Sequence, residues 1–171
     1  MPSVVIDLHL PAAGDTELLG SALAKALPAA AELGIVLYLQ GELGAGKTTC
    51  VRSLLRSLGV AGPVRSPTYT LIETYATEAL TCVHVDLYRL KGEAEAEDLG
   101  LRDLAVPGCL IMVEWPEKGA AAVPRPDVAL RLTYQGEARS AHLQSLSTSG
   151  ERWLHNLGDD TRLTPYVSNI T

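Results

Sequence analysis

Cysteine is scarce in this sequence, and histidine is scattered. The three thiols, Cys50, Cys82 and Cys109, lie far apart with no CxxC spacing, and apolar residues or a helical pattern surround them. This arrangement predicts buried, reduced thiols and argues against a metal site built from cysteine. The four histidines form no HxxxH pair, so they do not indicate a metal site either.

Long hydrophobic runs and an excess of basic residues are also missing. No stretch approaches the ~18 apolar residues that span a bilayer, and the first residues carry no basic segment typical of a secretory signal. We therefore expect a cytoplasmic protein that does not enter a membrane. The formal net charge is −6, whereas a protein that binds nucleic acid by itself usually has a basic stripe. Any contact with RNA is expected to be indirect, through another subunit.

The rest of the composition is typical of a globular domain. The chain has 171 residues, of which 47% are apolar and 20% are charged, and this suits a single core. Apolar runs of strand length alternate with stretches of helical periodicity, which predicts a three-layer α/β domain over residues 1–157. We expect a mixed, largely parallel sheet and a C-terminal antiparallel hairpin. The polar residues 158–171 are expected to form a loose tail.

The predicted elements follow from this alternation of patterns. Strands are expected at residues 4–10, 35–39, 81–85 and 109–113, and in a hairpin formed by 128–134 and 138–146. Helices are expected from Asp15 or Thr16 to 27, then at 48–58, 93–104 and, after Ser149 or Gly150, to 157. Residues 64–75 are predicted to turn at Ser66-Pro67 and then to run extended.

One segment fits the pattern G-x-x-x-x-G-K-[ST] at every fixed position, namely Gly41, Glu42, Leu43, Gly44, Ala45, Gly46, Lys47 and Thr48. An apolar strand precedes it and an amphipathic helix follows, which is the setting of a P-loop. The glycines would let backbone N–H groups surround the phosphates of ATP at the positive end of a helix. Lys47 is expected to reach the β- and γ-phosphates, Thr48 to ligate Mg²⁺ and Thr49 to donate to the α-phosphate. The alternative is a glycine-rich turn that only joins a strand to a helix.

Two predicted strands end in a carboxylate, as a P-loop protein requires for its magnesium ion. Four apolar residues precede Glu114, and the strand before it along the chain ends at Asp86. We assign Glu114 to magnesium, and Asp86 to a supporting position or to the attacking water. The structural alternatives are a solvated strand end for Glu114, and a helix cap or a partner of Arg89 for Asp86.

Four segments occur in a characteristic order: residues 41–49, Ser66-Pro67-Thr68-Tyr69-Thr70, His84-Val85-Asp86-Leu87-Tyr88-Arg89-Leu90 and Glu114-Trp115-Pro116. Together they resemble the TsaE family, the ATPase component of bacterial threonylcarbamoyladenosine (t6A) synthesis in tRNA. The resemblance covers residues 4–157 and implies a P-loop NTPase domain. It also implies that the protein works with TsaD, which transfers the threonylcarbamoyl group, and with TsaB. Hydrolysis of ATP would then reset that complex between turnovers.

The same resemblance implies a role for individual residues. Lys47 and Thr48 match the phosphate and magnesium residues, and Glu114 matches the magnesium-binding glutamate. Thr68 matches a mobile segment near the γ-phosphate, Asp86 a residue needed for activity, and Trp115 a tryptophan beside the nucleotide. As alternatives, Thr68 is an ordinary strand residue and Trp115 covers the core.

Two further residues of these segments have mainly structural interpretations. His84 is expected to pack or to hydrogen-bond within its strand rather than to act as an acid or base. Arg89 is expected to contact phosphate, a partner or the acidic stretch 93–98. That stretch is itself a solvated helix face or a dock for a basic partner.

The predicted reaction is the attack of water on the γ-phosphate, promoted by positioning and charge neutralisation. Since no arginine finger is evident, we expect slow hydrolysis by the isolated protein and stimulation in the complex. A small-molecule kinase is the main alternative, although Arg125 and Arg131, the nearest candidates for an arginine lid, fall in a proline-rich loop and a hairpin strand. A GTP-dependent switch is disfavoured because no Asn-Lys-x-Asp or Asp-x-x-Gly segment occurs.

Overall fold

The fold alternates strands and helices along the chain, as seen in a computed structural model that describes residues 3–29 and 34–171. Residues 1–2 and 30–33 of the predicted domain lie outside this description. The strands are β1 (Val5–Leu10), β2 (Ile35–Gln40), β3 (Ile72–Ala76), β4 (Thr81–Asp86), β5 (Cys109–Glu114), β6 (Val128–Gln135), β7 (Ala138–Ser145) and β8 (Val167–Ile170). The helices are α1 (Ala13–Ala26), α2 (Lys47–Ser57), α3 (Glu93–Asp98) and α4 (Thr148–Gly158).

All the strands of the described residues form one sheet in the order β3-β4-β5-β2-β6-β7-β1-β8. The four central strands, β4, β5, β2 and β6, are parallel to one another. The outer pairings are antiparallel, including the hairpin of β6 and β7. The prediction of a mixed α/β sheet with a C-terminal hairpin is therefore confirmed.

Both faces of β2, β4 and β5 are buried, which explains why these three strands read as apolar runs. On one face, residues such as Leu37 and Met112 pack beneath α1, α2 and α4. On the other face, Val36 and Ile111 pack beneath α3 and short 3₁₀ turns. The predicted three layers are thus present at the centre. The outward face of β1 and β7 carries polar residues instead, among them His142.

Two predicted helices have different bounds in the structure. The predicted helix 93–104 ends at Asp98, because Gly100 adopts a left-handed conformation (φ 62°) and the chain continues as a 3₁₀ turn. Helix α1 begins at Ala13 rather than after Asp15. The carboxylate of Asp15 lies in the first turn and accepts a hydrogen bond from the Ala12 N–H at 2.7 Å.

Residues 158–171 were predicted to form a loose tail, but they contain regular structure. They include a 3₁₀ turn and strand β8, which pairs antiparallel with β1. The N–H of Val5 donates to the Thr171 carbonyl at 2.8 Å, so the end of the chain completes the edge of the sheet. The physical reason is that β1 would otherwise expose a row of unpaired backbone groups.

All three cysteines are free and buried, which confirms the prediction of reduced core thiols. Within residues 3–29 and 34–171, no helix has both the length and the apolar character needed to cross a membrane.

Candidate functional site

The candidate site lies where three neighbouring parallel strands end. In the register of the sheet, Asp86 at the end of β4 stands opposite Glu114 at the end of β5, and Leu39 of β2 stands on the other side of Glu114. The loop that follows β2 leads directly into α2. Because the carboxyl ends of parallel strands meet at one edge, the loop and both carboxylates converge there.

The loop between β2 and α2 has the backbone of an anion cradle. Its three glycines take positive φ angles, and a side chain at Gly41 would bring Cβ within 2.3 Å of the Leu132 carbonyl oxygen. The N–H groups of Lys47, Thr48 and Thr49, in the first turn of α2, have no acceptor among the described residues. Such unpaired amides at the positive end of a helix favour a bound anion.

Lys47 is nearly buried at the centre of this loop. Its ammonium donates to the carbonyl oxygens of Gly41 (2.6 Å) and Glu42 (2.8 Å), and lies 4.2 Å from the centroid of the Trp115 ring. Burial lowers the pKa of Lys47, while the carboxylates of Glu114 and Asp86 oppose this shift. The lysine is thus positioned by the loop itself and does not point into bulk solvent.

Glu114 joins the loop to the sheet. Its side chain is 2% exposed and accepts hydrogen bonds from the Thr48 hydroxyl at 2.9 Å (Oε1) and 3.0 Å (Oε2). His84 Nε2 lies 2.7 Å from the same Oε1. The alternative of a solvated strand end is therefore wrong. His84 was expected to pack or to hydrogen-bond within its strand; it is fully buried, and its hydrogen bond goes to the neighbouring strand instead.

Asp86 holds the segment that contains the Ser-Pro-Thr motif. Its Oδ2 accepts hydrogen bonds from Ser66 (2.9 Å) and Thr68 (3.2 Å), and its Oδ1 accepts the Tyr88 N–H at 2.9 Å. Arg89 is not its partner. The two hydroxyls also contact each other at 2.7 Å, so this buried carboxylate ties residues 66–68 to the end of β4.

Trp115 covers both the lysine and the core. Its backbone is left-handed (φ 57°), which is uncommon for a bulky residue and turns the ring over Lys47. The ring centroid of Tyr88 lies 5.0 Å away. Trp115 also packs against the core beneath α3, so its predicted role beside a nucleotide and its structural alternative are compatible.

These residues surround a cavity of about 380 Å³. The predicted site residues that line it are Leu43, Gly44, Gly46, Lys47, Thr48, Thr49, Thr68, Asp86, Glu114 and Trp115. Gly41 and Glu42 instead line a second groove on the other side of Trp115, and Ala45 is fully buried. Arg131 lies in that second groove and not in the cavity.

Two basic residues lie near the cavity: Arg139, which the sequence analysis did not consider, and Arg89, which was expected to contact phosphate, a partner or the stretch 93–98. Arg139 of β7 donates from Nε to the Ala45 carbonyl at 2.9 Å, and its guanidinium lies 5.3 Å from the Tyr134 ring centroid. No local signal predicts a contact between residues that far apart in the chain. Arg89 lines the cavity and lies 4.3 Å from the Tyr69 ring centroid. Within the described residues it forms no ion pair with 93–98.

Comparison with known proteins gives consistent matches. The family model described as "Threonylcarbamoyl adenosine biosynthesis protein TsaE" matches residues 10–142. The tRNA threonylcarbamoyladenosine biosynthesis protein TsaE of Haemophilus influenzae is 40% identical over 120 residues, covering 70% of this chain and 76% of that protein. The protein of the same name from Streptomyces coelicolor is 38% identical over 140 residues, covering 79% and 91%.

A solved structure supports the fold alone. The crystal structure of Bacillus subtilis YdiB superimposes with a TM-score of 0.73 at 23% sequence identity, covering 92% of this chain and 97% of that one.

Proposed function

Because this chain belongs to the TsaE family of threonylcarbamoyl adenosine biosynthesis proteins, we propose that it binds and slowly hydrolyses ATP in support of t6A modification of tRNA. The observation that carries the proposal is the convergence of unpaired P-loop amides, a buried lysine and the Thr48–Glu114 pair at one sheet edge.

The phosphates of ATP are the ligand that suits this cradle. The first-turn amides of α2 have no acceptor among the described residues, and the Lys47 ammonium donates to the loop carbonyls of Gly41 and Glu42. A triphosphate would accept from both, and Trp115 would keep water away from the lysine. Donors of this kind, fixed before the ligand arrives, contribute to charge stabilisation because they need no reorganisation.

The two carboxylates argue for magnesium as well as ATP. Asp86 and Glu114 are buried beside the cradle and would repel a triphosphate if no cation lay between them. The Thr48 hydroxyl and the Glu114 carboxylate are the oxygen ligands that would hold Mg²⁺. When bound, the ion would neutralise charge on the β- and γ-phosphates.

In this proposal Asp86 acts through the segment it holds. Both of its oxygens are engaged, one by Ser66 and Thr68 and the other by the Tyr88 amide. It would therefore position Thr68 near the γ-phosphate, and a water molecule held there would attack phosphorus. The guanidinium of Arg89 stacks on the exposed Tyr69 ring and donates to its hydroxyl at 3.3 Å. It is therefore engaged away from the phosphate cradle, which is consistent with slow hydrolysis by the isolated chain.

Partners follow from the family. We propose that this chain acts with TsaD and TsaB in the cytoplasm. In a complex with them it would hydrolyse ATP faster than it does alone. The net charge of −6 favours contact with tRNA only through those partners.

The proposal is tested by nucleotide binding and phosphate release with purified protein. The Lys47→Ala variant is expected to lose most ATP affinity, and Glu114→Gln to lose magnesium-dependent turnover. Lys25→Ala, an exposed lysine on α1, serves as the control and should behave as wild type. Unchanged ATP affinity and turnover in both site variants would contradict the assignment. Transfer of the γ-phosphate to a metabolite instead of water would indicate a kinase.

A further inference from the structure

His84 is a fully buried polar residue whose position the proposed reaction does not yet explain. It lies on β4, opposite Met112 of β5, and its Nε2 is 2.7 Å from Glu114 Oε1. We propose that His84 is a positioning residue that holds the Glu114 carboxylate in the orientation needed for magnesium. The inference rests on the proposed function, because it concerns the same carboxylate.

The hydrogen bond identifies the form of the imidazole. An ionised carboxylate can only accept, so Nε2 carries the proton and donates it to Glu114. Nδ1 is buried and has no partner among the described residues, so a proton on it would be a buried donor without an acceptor. His84 thus orients Glu114 as a hydrogen-bond donor through Nε2.

The geometry shows why a second donor is needed. Among the described residues, Glu114 is held by the Thr48 hydroxyl and by His84. Thr48 is itself a proposed magnesium ligand and would bind the ion through its hydroxyl oxygen, so its position would change with the metal. His84 is not a proposed ligand, so its bond would restrict rotation of the carboxylate whether or not the ion is bound. Residues that orient metal ligands in this way commonly change metal affinity by about 10–100-fold when they are removed.

A purely structural role explains the histidine less well. His84 lies on the same face of the sheet as the buried residues Cys82 and Met112, where an aliphatic side chain would pack without a polar atom to satisfy. An unpartnered buried Nδ1 is a cost to stability. Polar groups that a core retains at such a cost commonly belong to functional sites.

The test compares His84→Leu, which removes the donor, with His84→Gln, whose amide nitrogen reaches about as far as Nε2. A fluorescent ATP analogue is titrated first in EDTA and then at increasing Mg²⁺. We expect His84→Leu to raise the Mg²⁺ concentration for half-maximal binding about tenfold. Its affinity in EDTA should stay near wild type, and His84→Gln should recover most of the magnesium response. A structural role would lower the melting temperature without this selective loss and without recovery by glutamine.

The outcomes separate the two proposals. If wild-type protein and His84→Leu respond equally to magnesium, His84 has no positioning role, whereas the proposed function stands. If wild type shows no magnesium response, both proposals fail. Should His84→Leu not fold, imidazole ¹⁵N NMR of the wild-type protein decides. A proton on Nε2 whose signal moves in Glu114→Gln supports the inference, and a proton on Nδ1 overturns it.

Discussion

Replacing Arg139 by alanine removes a guanidinium that reaches from the hairpin strand β7 to the P-loop. Its Nε donates to the carbonyl of Ala45, a residue with no exposed surface, at 2.9 Å. A buried carbonyl that loses its partner costs about 1–3 kcal/mol. The stacking on Tyr134, a residue 40% exposed, adds about 0.5–1 kcal/mol.

The expected loss in the free energy of unfolding is therefore about 3 kcal/mol, the sum of the two contributions near the middle of their ranges. For a domain of this size, the melting temperature should fall by about 6–12 °C. ATP affinity should also fall, by about tenfold, because part of the binding free energy must now order the loop. Differential scanning calorimetry and titration with ATP measure the two effects.

Arg131→Ala is the matched control. Arg131 lies on the same hairpin and is exposed, and its guanidinium makes no hydrogen bond among the described residues. If Arg139→Ala melted and bound ATP like Arg131→Ala, the contact between hairpin and P-loop would contribute nothing, and the reasoning from the buried carbonyl would be wrong.

Two further predictions concern the Ser-Pro-Thr segment and the buried thiols. Thr68→Ala removes a hydroxyl 3.2 Å from Asp86 and should lower ATP turnover about tenfold more than it lowers ATP affinity. Phosphate release and ATP titration measure the two quantities, with Thr70→Ala as the control. Equal losses in turnover and affinity would count against a role in positioning. Burial raises the pKa of Cys50 to about 12 and that of Cys82 to about 11. Between about pH 9 and 11 the unfolded chain releases these protons while the native chain keeps them, so stability should fall as pH rises. Urea unfolding at pH 8 and pH 10 measures this loss of stability, which should be smaller in Cys50→Ala. Equal stability of the wild-type protein at pH 8 and pH 10 would disprove the prediction.

Much of the central fold is encoded locally and could be predicted. Strands β2, β4 and β5 are apolar runs because both of their faces are buried, and each was predicted to within one residue. The second half of the helix predicted at 93–104 was wrong. There the helical pattern continues, but a single glycine in a left-handed conformation ends the helix.

The candidate site could be predicted only in part, because only some of its contacts are encoded locally. The P-loop is a contiguous pattern, and Glu114 and Asp86 each end a recognisable strand, so their presence at one edge follows from parallel pairing. That His84 bonds to Glu114 rather than within its own strand depends on the register between β4 and β5. No periodicity in either segment specifies that register.

The glycine-rich segment 41–48, the strands that end in carboxylates and the α/β class could be predicted from the sequence, because each depends on residues that are close together in the chain. The folded structure was needed to show that Arg139 reaches Ala45, that His84 bonds to Glu114, and that residues 167–170 form an edge strand on β1. These contacts join segments separated by 30 to more than 100 residues. They are set by strand order and by the need of buried or edge backbone groups for partners, which the whole sheet must satisfy together.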